Sequence, residues 1–437
     1  MRLGLSLSAD SITSQKIGAG FTGILDEYSG AAAAYSVRRL SSTYTDGLIR
    51  VRRSSDDTEQ DIGFDANGDL DTTALLAFVN EDVNTYTSDF SSTEDLGEFN
   101  GTGAAVQSIG GVDDAYKFTT ITGTGQMFSS TTPFSGKGGG NSFRVQADVY
   151  LPSTNAEIDK VRIWTGYGTE VIADVTATDT WTSIDETITI TSGSTLRFQA
   201  YDGNDLTPTT TEANVFYLKN IVVTQTTADG AITTWYDQAG SNDATNATES
   251  EQPLVVSGGS VVTLDGYACL DGDIGADTML QASNVIDTVG DVAIFSTYAL
   301  KTDGTEANQI TFEIGNGTST HRIHDTLGRG GAGKFGIDIR GATDYDFGNA
   351  TGVALDDIYL NSILSETNGF YINGTQQTSN NLVKGGSTVD ALTLFNRGGG
   401  SFPFKGKFFE FIFFASDQSA NRTGIESNIN DHFTIYP

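Results

Sequence analysis

Glu313 lies in Gln309-Ile310-Thr311-Phe312-Glu313-Ile314, whose alternation sends Ile310, Phe312 and Ile314 to one side of a strand and Thr311 and Glu313 to the other. The carboxyl group can therefore face a cleft. A carboxyl group so placed can act as a nucleophile or as a general acid/base. His321, His324 and Asp325 hint at a metal. No further ligand cluster accompanies them, so no metal is expected. Asp65-Ala66-Asn67-Gly68-Asp69 starts like a calcium loop but lacks the twelve-residue pattern and its closing Glu, and it reads as a turn. Sugar binding asks for flat aromatic faces beside planar polar side chains. Trp164, Tyr167, Trp181 and Tyr201, with Gln199, Asp202, Asn204 and Asp205 nearby, supply both. Trp164-Thr165-Gly166-Tyr167-Gly168 is the preferred segment, because its glycines leave an aromatic ring exposed in a loop.

Strands must carry almost all of these groups. Phe143, Val145, Ala147 and Val149 alternate with Arg144, Gln146, Asp148 and Tyr150, and residues 161–164, 184–190, 196–201 and 215–223 repeat the pattern. From Leu254 onward apolar runs follow one another to residue 414, and Asn373-Gly374 supplies the positive φ of a tight hairpin turn. Few helices are expected. The run Ala31-Ala32-Ala33-Ala34-Tyr35-Ser36-Val37 has high helix propensity. Asp71-Thr72-Thr73-Ala74 can cap a short helix through Val79, and a last helix runs through Ile425 and Ile429 to His432. Arg38, Arg39, Arg50, Arg52 and Arg53 form the basic cluster of an acidic chain, and Asp56, Asp57, Glu59 and Asp61 close behind suggest internal ion pairs.

With 437 residues and 38% hydrophobic side chains, the chain can build two to four domain cores. Only 6 prolines, 51 glycines and short β-branched or aromatic runs favour an all-β fold. The 24 Lys and Arg against 56 Asp and Glu give a net charge of −32, which disfavours a nucleic-acid partner because phosphate binding needs cations. The single cysteine, Cys269, makes no internal disulfide and reads as a buried small hydrophobe. Residues 1–10 lack the apolar core of a secretory signal, and no segment approaches the ~18 apolar residues of a membrane span. No membrane span is expected.

The chain is organised around Ala231-Ile232-Thr233-Thr234-Trp235-Tyr236-Asp237-Gln238-Ala239-Gly240. With Ala34-Tyr35-Ser36-Val37-Arg38-Arg39-Leu40, Ile49-Arg50-Val51-Arg52-Arg53-Ser54-Ser55-Asp56 and Leu70-Asp71-Thr72-Thr73-Ala74-Leu75-Leu76-Ala77-Phe78-Val79, it resembles the N-terminal core of the α-L-arabinofuranosidase B family and of its relatives among phage virion proteins. Phe370-Tyr371-Ile372-Asn373-Gly374 and the closing Phe408-Phe409-Glu410-Phe411-Ile412-Phe413-Phe414 resemble concanavalin A-like, laminin G-like sandwiches. The family pattern lacks the stretch between Asn84 and Thr227, about the size of one compact domain. That stretch is similar to carbohydrate-binding modules, with Phe90-Ser91, Thr180-Trp181-Thr182 and Val215-Phe216-Tyr217-Leu218-Lys219-Asn220 in the corresponding order.

The resemblance implies an all-β protein of two β-sandwich (jelly-roll) domains, one inserted into the other, with a few short helices. Residues 1–23 would be an N-terminal arm, 24–84 and 228–437 a discontinuous concanavalin A-like sandwich, and 85–227 the inserted jelly roll. Where such modules place an acidic calcium ligand this chain has Lys219, which speaks against calcium, so no cofactor is expected. Glu313 falls where the family's nucleophile strand would lie, whereas the turn that should carry the acid reads Asn396-Arg397-Gly398-Gly399-Gly400-Ser401. A missing acid implies a non-enzymatic chain with no catalytic residue. The expectation is then a bacteriophage structural protein at the virion surface, meeting other virion proteins through residues 1–23 and host glycans through Trp164, Tyr167, Trp181, Tyr201, Gln199 and Asp202, and forming a homo-oligomer. The alternative is a secreted arabinofuranosidase-type glycoside hydrolase with an inserted binding module, in which Glu313 would be catalytic.

Overall fold

In a computed structural model, the described residues are 21–88, 97–121, 127–137, 139–166, 171–191, 193–203, 214–274, 277–283, 290–301, 309–315, 322–327, 335–340, 354–367, 369–377, 391–400 and 402–437. Most of residues 1–23, together with Tyr167, Asn204, Asp205 and His321, lie outside them. The protein is all-β, and its sheets are antiparallel.

The organising stretch explains itself physically. The strand Gly230–Trp235 is flanked by Ile49–Arg53 on one side and by Ala244–Thr245 and Leu254–Ser257 on the other. Trp235 is fully buried, and its indole N–H donates to the Ser36 carbonyl at 3.2 Å. Asp237 accepts from the backbone N–H groups of Ala34 (2.8 Å), Ala239 (2.9 Å) and Asn242 (3.1 Å). Gln238 accepts from the Leu40 N–H at 2.7 Å and donates to the Arg38 carbonyl at 2.8 Å. Buried backbone groups must find partners. The Trp-Tyr-Asp-Gln run is thus a staple holding a segment about 200 positions away in sequence.

That segment is not helical. Ala31–Ser36 is a strand, a correction to its propensity, because Ala34, Tyr35 and Ser36 pair with Ile412, Phe411 and Glu410 and Tyr35 packs between Trp235 and Phe411. Helix propensities differ by less than about 1 kcal/mol per residue, and this pairing outweighs them. The other two helical expectations hold: Asp71 caps Thr72–Val79 by accepting from the Ala74 N–H at 2.9 Å, and Arg422–Phe433 closes the chain.

Gly406–Phe414 lies in one layer between Ala293–Leu300 and Ala31–Ser36, with Ile358–Leu364 and Gly369–Ile372 beyond Ala293–Leu300. The facing layer runs Glu59–Ile62, Ile49–Arg53, Gly230–Trp235, Ala244–Thr245, Leu280–Ala282, Ala391–Leu394, Gln309–Gly315, Arg322–Leu327 and Phe335–Arg340. Phe312 meets Phe411 edge to face between the layers, ring centroids 5.0 Å apart. Gly406–Phe414 is an apolar run rather than an alternating one because the final helix covers its other face, Phe433 meeting Phe409 at 5.5 Å.

Residues 86–223 contribute a separate hydrophobic cluster. It lies between a five-stranded sheet (Val171–Val175, Lys160–Thr165, Leu196–Tyr201, Met127–Ser130, Gly97–Phe99) and a second sheet built on Trp181–Thr189, Ser142–Tyr150, Val215–Gln225, Val112–Thr120 and Gly101–Ile109. Val83–Ser88 also pairs with Val215–Gln225, so both ends of this segment meet on one strand. Adjacent ends are what an insertion into another sandwich requires. An excised 85–227 fragment is accordingly expected to unfold in one cooperative urea transition with dispersed amide resonances. A fragment with collapsed amide dispersion would show that the second cluster needs the first.

Three members of the arginine cluster are consumed by the four acidic residues that follow it and by Glu81, while Arg38 pairs with Glu410. Arg50 binds Glu59 (2.7 Å) and Asp61 (2.9 Å), Arg52 binds Asp57 (2.6 Å), and Arg53 binds Asp56 (2.7 Å) and Glu81. Cys269 is buried, which pushes its thiol up to about 12. Among the described residues no helix is long and apolar enough to cross a membrane.

Candidate functional site

Three neighbouring strands set a polar row on the face of the larger sandwich away from its core. Glu313 pairs with Thr393, and Thr393 pairs with Gln281, so the three side chains stand side by side. Gln281 donates to the Thr393 hydroxyl at 3.3 Å. Their strand neighbours Phe312, Leu394 and Leu280 point the other way into the core, which fixes the register of the row.

Glu313 is only 4% exposed, and the Gly-rich turn explains its enclosure. The Gly398 N–H donates to Glu313 Oε1 at 3.3 Å, and a Cβ on Gly398 would lie 3.0 Å from that oxygen. Glycine therefore lets the turn close over the carboxylate. Gly399 and Gly400 continue the turn at φ +94° and +78°, a region other residues avoid. Asn396, fully buried, pins it by accepting from the N–H groups of Arg397 (2.8 Å) and Phe402 (3.0 Å) and by donating to the Thr278 carbonyl at 3.4 Å.

Sequence reasoning placed Asn396 and Arg397 where an acid was needed and stopped there. A carboxyl group from elsewhere in the chain does border this turn: Asp277, exposed, has its Oδ2 3.9 Å from where a Gly400 Cβ would stand. The sequence signal was faint, since Asp277 precedes a three-residue strand, Leu280–Ala282, whose partner Ala391–Leu394 is more than 100 positions away.

The aromatic candidates are dispersed. Trp164 is half-buried on the outer face of the five-stranded sheet, with the Arg197 guanidinium 5.1 Å above its ring. Gln199 and Tyr201 share that face but are buried, 2% and 1% exposed. Tyr201 cannot offer a stacking face, because Lys160 (4.8 Å) and Arg162 (4.7 Å) lie over its ring while Asp174 holds both cations. Asp202 is exposed at the end of the same strand. Trp181 belongs to the other sheet, where it packs on Tyr150 and donates to the Ile109 carbonyl at 3.3 Å. Trp164 and Trp181 therefore do not form one platform.

At the position expected to disfavour calcium, the Lys219 ammonium lies 4.6 Å over the Trp181 ring and 3.9 Å from Asp148. Among the described residues no three His, Cys, Asp or Glu side chains converge on a metal-sized site. Asp65–Asp69 is the turn it reads as, Asp65 accepting from the N–H groups of Asn67 (2.8 Å) and Asp69 (3.0 Å). Asp325 is a core residue facing Tyr298, whose hydroxyl donates to it at 2.5 Å.

No protein family and no curated protein matches this chain in sequence. Solved structures align with it. A GH54 α-L-arabinofuranosidase soaked with a cyclic sulfate inhibitor aligns over 93% of this chain and 64% of its own, at 12% identity and a TM-score of 0.46. An arabinofuranosidase complexed with arabinofuranosyl-α-1,2-xylobiose aligns over the same shares at 13% identity and a TM-score of 0.42. The N-terminal CBM22-1-CBM22-2 tandem domain of Paenibacillus barcinonensis Xyn10C aligns over 76% of this chain and 95% of its own, at 11% identity and a TM-score of 0.25. The chain thus spans less than two thirds of the length of the arabinofuranosidases it resembles. These likenesses are to β-sandwiches of the glycoside hydrolase and carbohydrate-binding type, and a virion role finds no support among them. The expectation of a chain without enzymatic activity is corrected here: the solved structures that align over 93% of it are arabinofuranosidases.

Proposed function

We propose that the chain is a glycoside hydrolase of the α-L-arabinofuranosidase type, with a second sandwich that binds glycan. The observation that carries this reading is the enclosure of Glu313 in a polar row beneath a glycine turn that also borders Asp277. Glu313 attacks the anomeric carbon while Asp277 gives its proton to the leaving oxygen, producing a glycosyl ester on Glu313 and a free alcohol. Water, deprotonated by Asp277, then cleaves the ester and restores both carboxyl groups. Thr393 and Gln281 supply hydroxyl and amide partners for the sugar's own hydroxyl groups.

Asp277→Asn tests the second role. A substrate with a poor leaving group should lose about 10²–10⁴-fold in kcat/KM, whereas an aryl glycoside whose phenolate leaves unprotonated should lose far less at the first step. Added azide, which needs no base, should restore turnover and yield a glycosyl azide. An Asp277→Asn chain as active as the native one on every leaving group would remove Asp277 from the mechanism. A native chain inert toward furanosides and pyranosides alike would end the hydrolase reading.

A further inference from the structure

A cavity of about 210 Å³ lies between the two ends of the larger sandwich, well away in sequence from the Glu313 row. Its walls are Val37, Asp65, Asp69, Leu70 and Thr72 from the N-terminal part, Gly266, Tyr267 and Ala268 from a hairpin, and His432 and Phe433 from the final helix. We propose that this cavity binds a single sugar ring, furanose or pyranose, as a site separate from the reacting one.

Size argues for one ring. Pockets for drug-sized ligands span about 300–1,000 Å³, so this one is too small for an oligosaccharide. The lining divides into the two surfaces a sugar needs. Tyr267, His432 and Phe433 give aromatic area, with Tyr267 centred 5.7 Å from His432 and 5.4 Å from Phe433. Asp65, Asp69 and Thr72 also line it and bring acceptor oxygens and a hydroxyl group. Val37 and Leu70 make the floor apolar, which suits the C–H face of a sugar.

Each wall is fixed before any ligand arrives. Asp265 (φ +52°) and Gly266 (φ +89°) form a two-residue turn with both φ angles positive, which pairs Leu264 with Tyr267 and sets the ring's position. Asp69 is held by its own N–H on Asp65. The chain after the helix is tied down by Asn430, whose Oδ1 accepts from the N–H groups of Ile435 (2.9 Å) and Tyr436 (2.8 Å). A preformed site loses little conformational entropy on binding.

The charges also suit a neutral polyol. Arg38, behind Phe433, is committed to Glu410 and Asn428. Burial, and secondarily Arg38, depress His432 to about 4, so near neutral pH its ring is uncharged and both donates and accepts. Asp69, with His432 Nε2 3.5 Å from its Oδ1 and its side chain half exposed, keeps acceptor capacity for sugar hydroxyl groups.

The test is a titration of the full-length chain with L-arabinose, D-galactose and D-glucose, followed by NMR of the His432 imidazole and the Ala268 methyl group. At least one sugar should shift both resonances with Kd in the millimolar range. Asp69→Ala and Tyr267→Ala should each weaken it at least tenfold, whereas Tyr267→Phe, which keeps the ring, should not. Glu313→Gln should leave these shifts unchanged, so a failed hydrolase reading and a failed cavity reading are distinguishable. Resonances unmoved by 100 mM of every sugar would overturn the proposal. So would n-butylammonium shifting them at lower concentration than any sugar, since that would mark the cavity as a cation site.

Discussion

Glu313→Gln should lower glycoside turnover by roughly 10⁴–10⁶-fold, the range seen when an enzyme loses its nucleophile, and leave the folded state unchanged. Both halves follow from the geometry. The amide has the carboxylate's shape, and its carbonyl oxygen can still accept from the Gly398 N–H, so the turn keeps its anchor. An amide does not form the glycosyl ester, so the covalent step disappears whatever Asp277 does. Assays on an aryl α-L-arabinofuranoside and on a natural arabinan oligosaccharide should fall together, because a better leaving group does not replace a nucleophile. Unfolding free energies from urea titration within about 0.5 kcal/mol of the native chain would certify the fold. Persistent turnover in a folded Glu313→Gln chain would place the reacting group elsewhere.

Much of the fold was legible because strands buried on one face advertise it. Residues 143–150 alternate in the sequence and do so in the structure, where Phe143, Val145, Ala147 and Val149 are buried. The ion pairs of Arg50, Arg52 and Arg53 with Glu59, Asp57 and Asp56 were legible for another reason, these partners lying within a dozen positions on a hairpin. Ala31–Ser36 was misread because four alanines in a row report only local preference, while the partner strand Gly406–Phe414 is nearly 400 positions away. Of the site only Glu313 was named from the sequence, and the rest stayed hidden for the same cause. Glu313, Thr393, Gln281 and Asp277 come from three short strands and a loop, and their adjacency exists only in the pairing register. Exposure was harder still. Nothing in the spacing of Tyr201 shows that Lys160 and Arg162 cover both its surroundings and its ring, since those cations lie on the neighbouring strand.

Arg38→Met is expected to cost about 3–5 kcal/mol of stability, comparable to deleting a large core side chain. Glu410 is completely buried in the middle of Gly406–Phe414, where its carboxylate takes two parallel bonds from Arg38, at 2.7 and 3.0 Å, and one from the Ser36 hydroxyl at 2.8 Å. Removing the guanidinium leaves a carboxylate in an apolar sandwich with one neutral donor, a far larger penalty than the pair's net worth to the native protein. The double variant Arg38→Met, Glu410→Leu should therefore recover much of the loss, because neither charge then needs solvation. A second readout separates charge from packing. Arg38 helps depress His432, so in Arg38→Met the imidazole should titrate above about 4, moving toward its ordinary value near 6.5. A folded His432 that titrates below its unfolded value makes protonation favour unfolding, so stability falls as pH drops from about 6.5 toward 4. With Arg38 gone that window should shrink from its lower end. A variant that loses less than 1 kcal/mol and leaves the His432 titration in place would mean that the buried pair contributes little to either property.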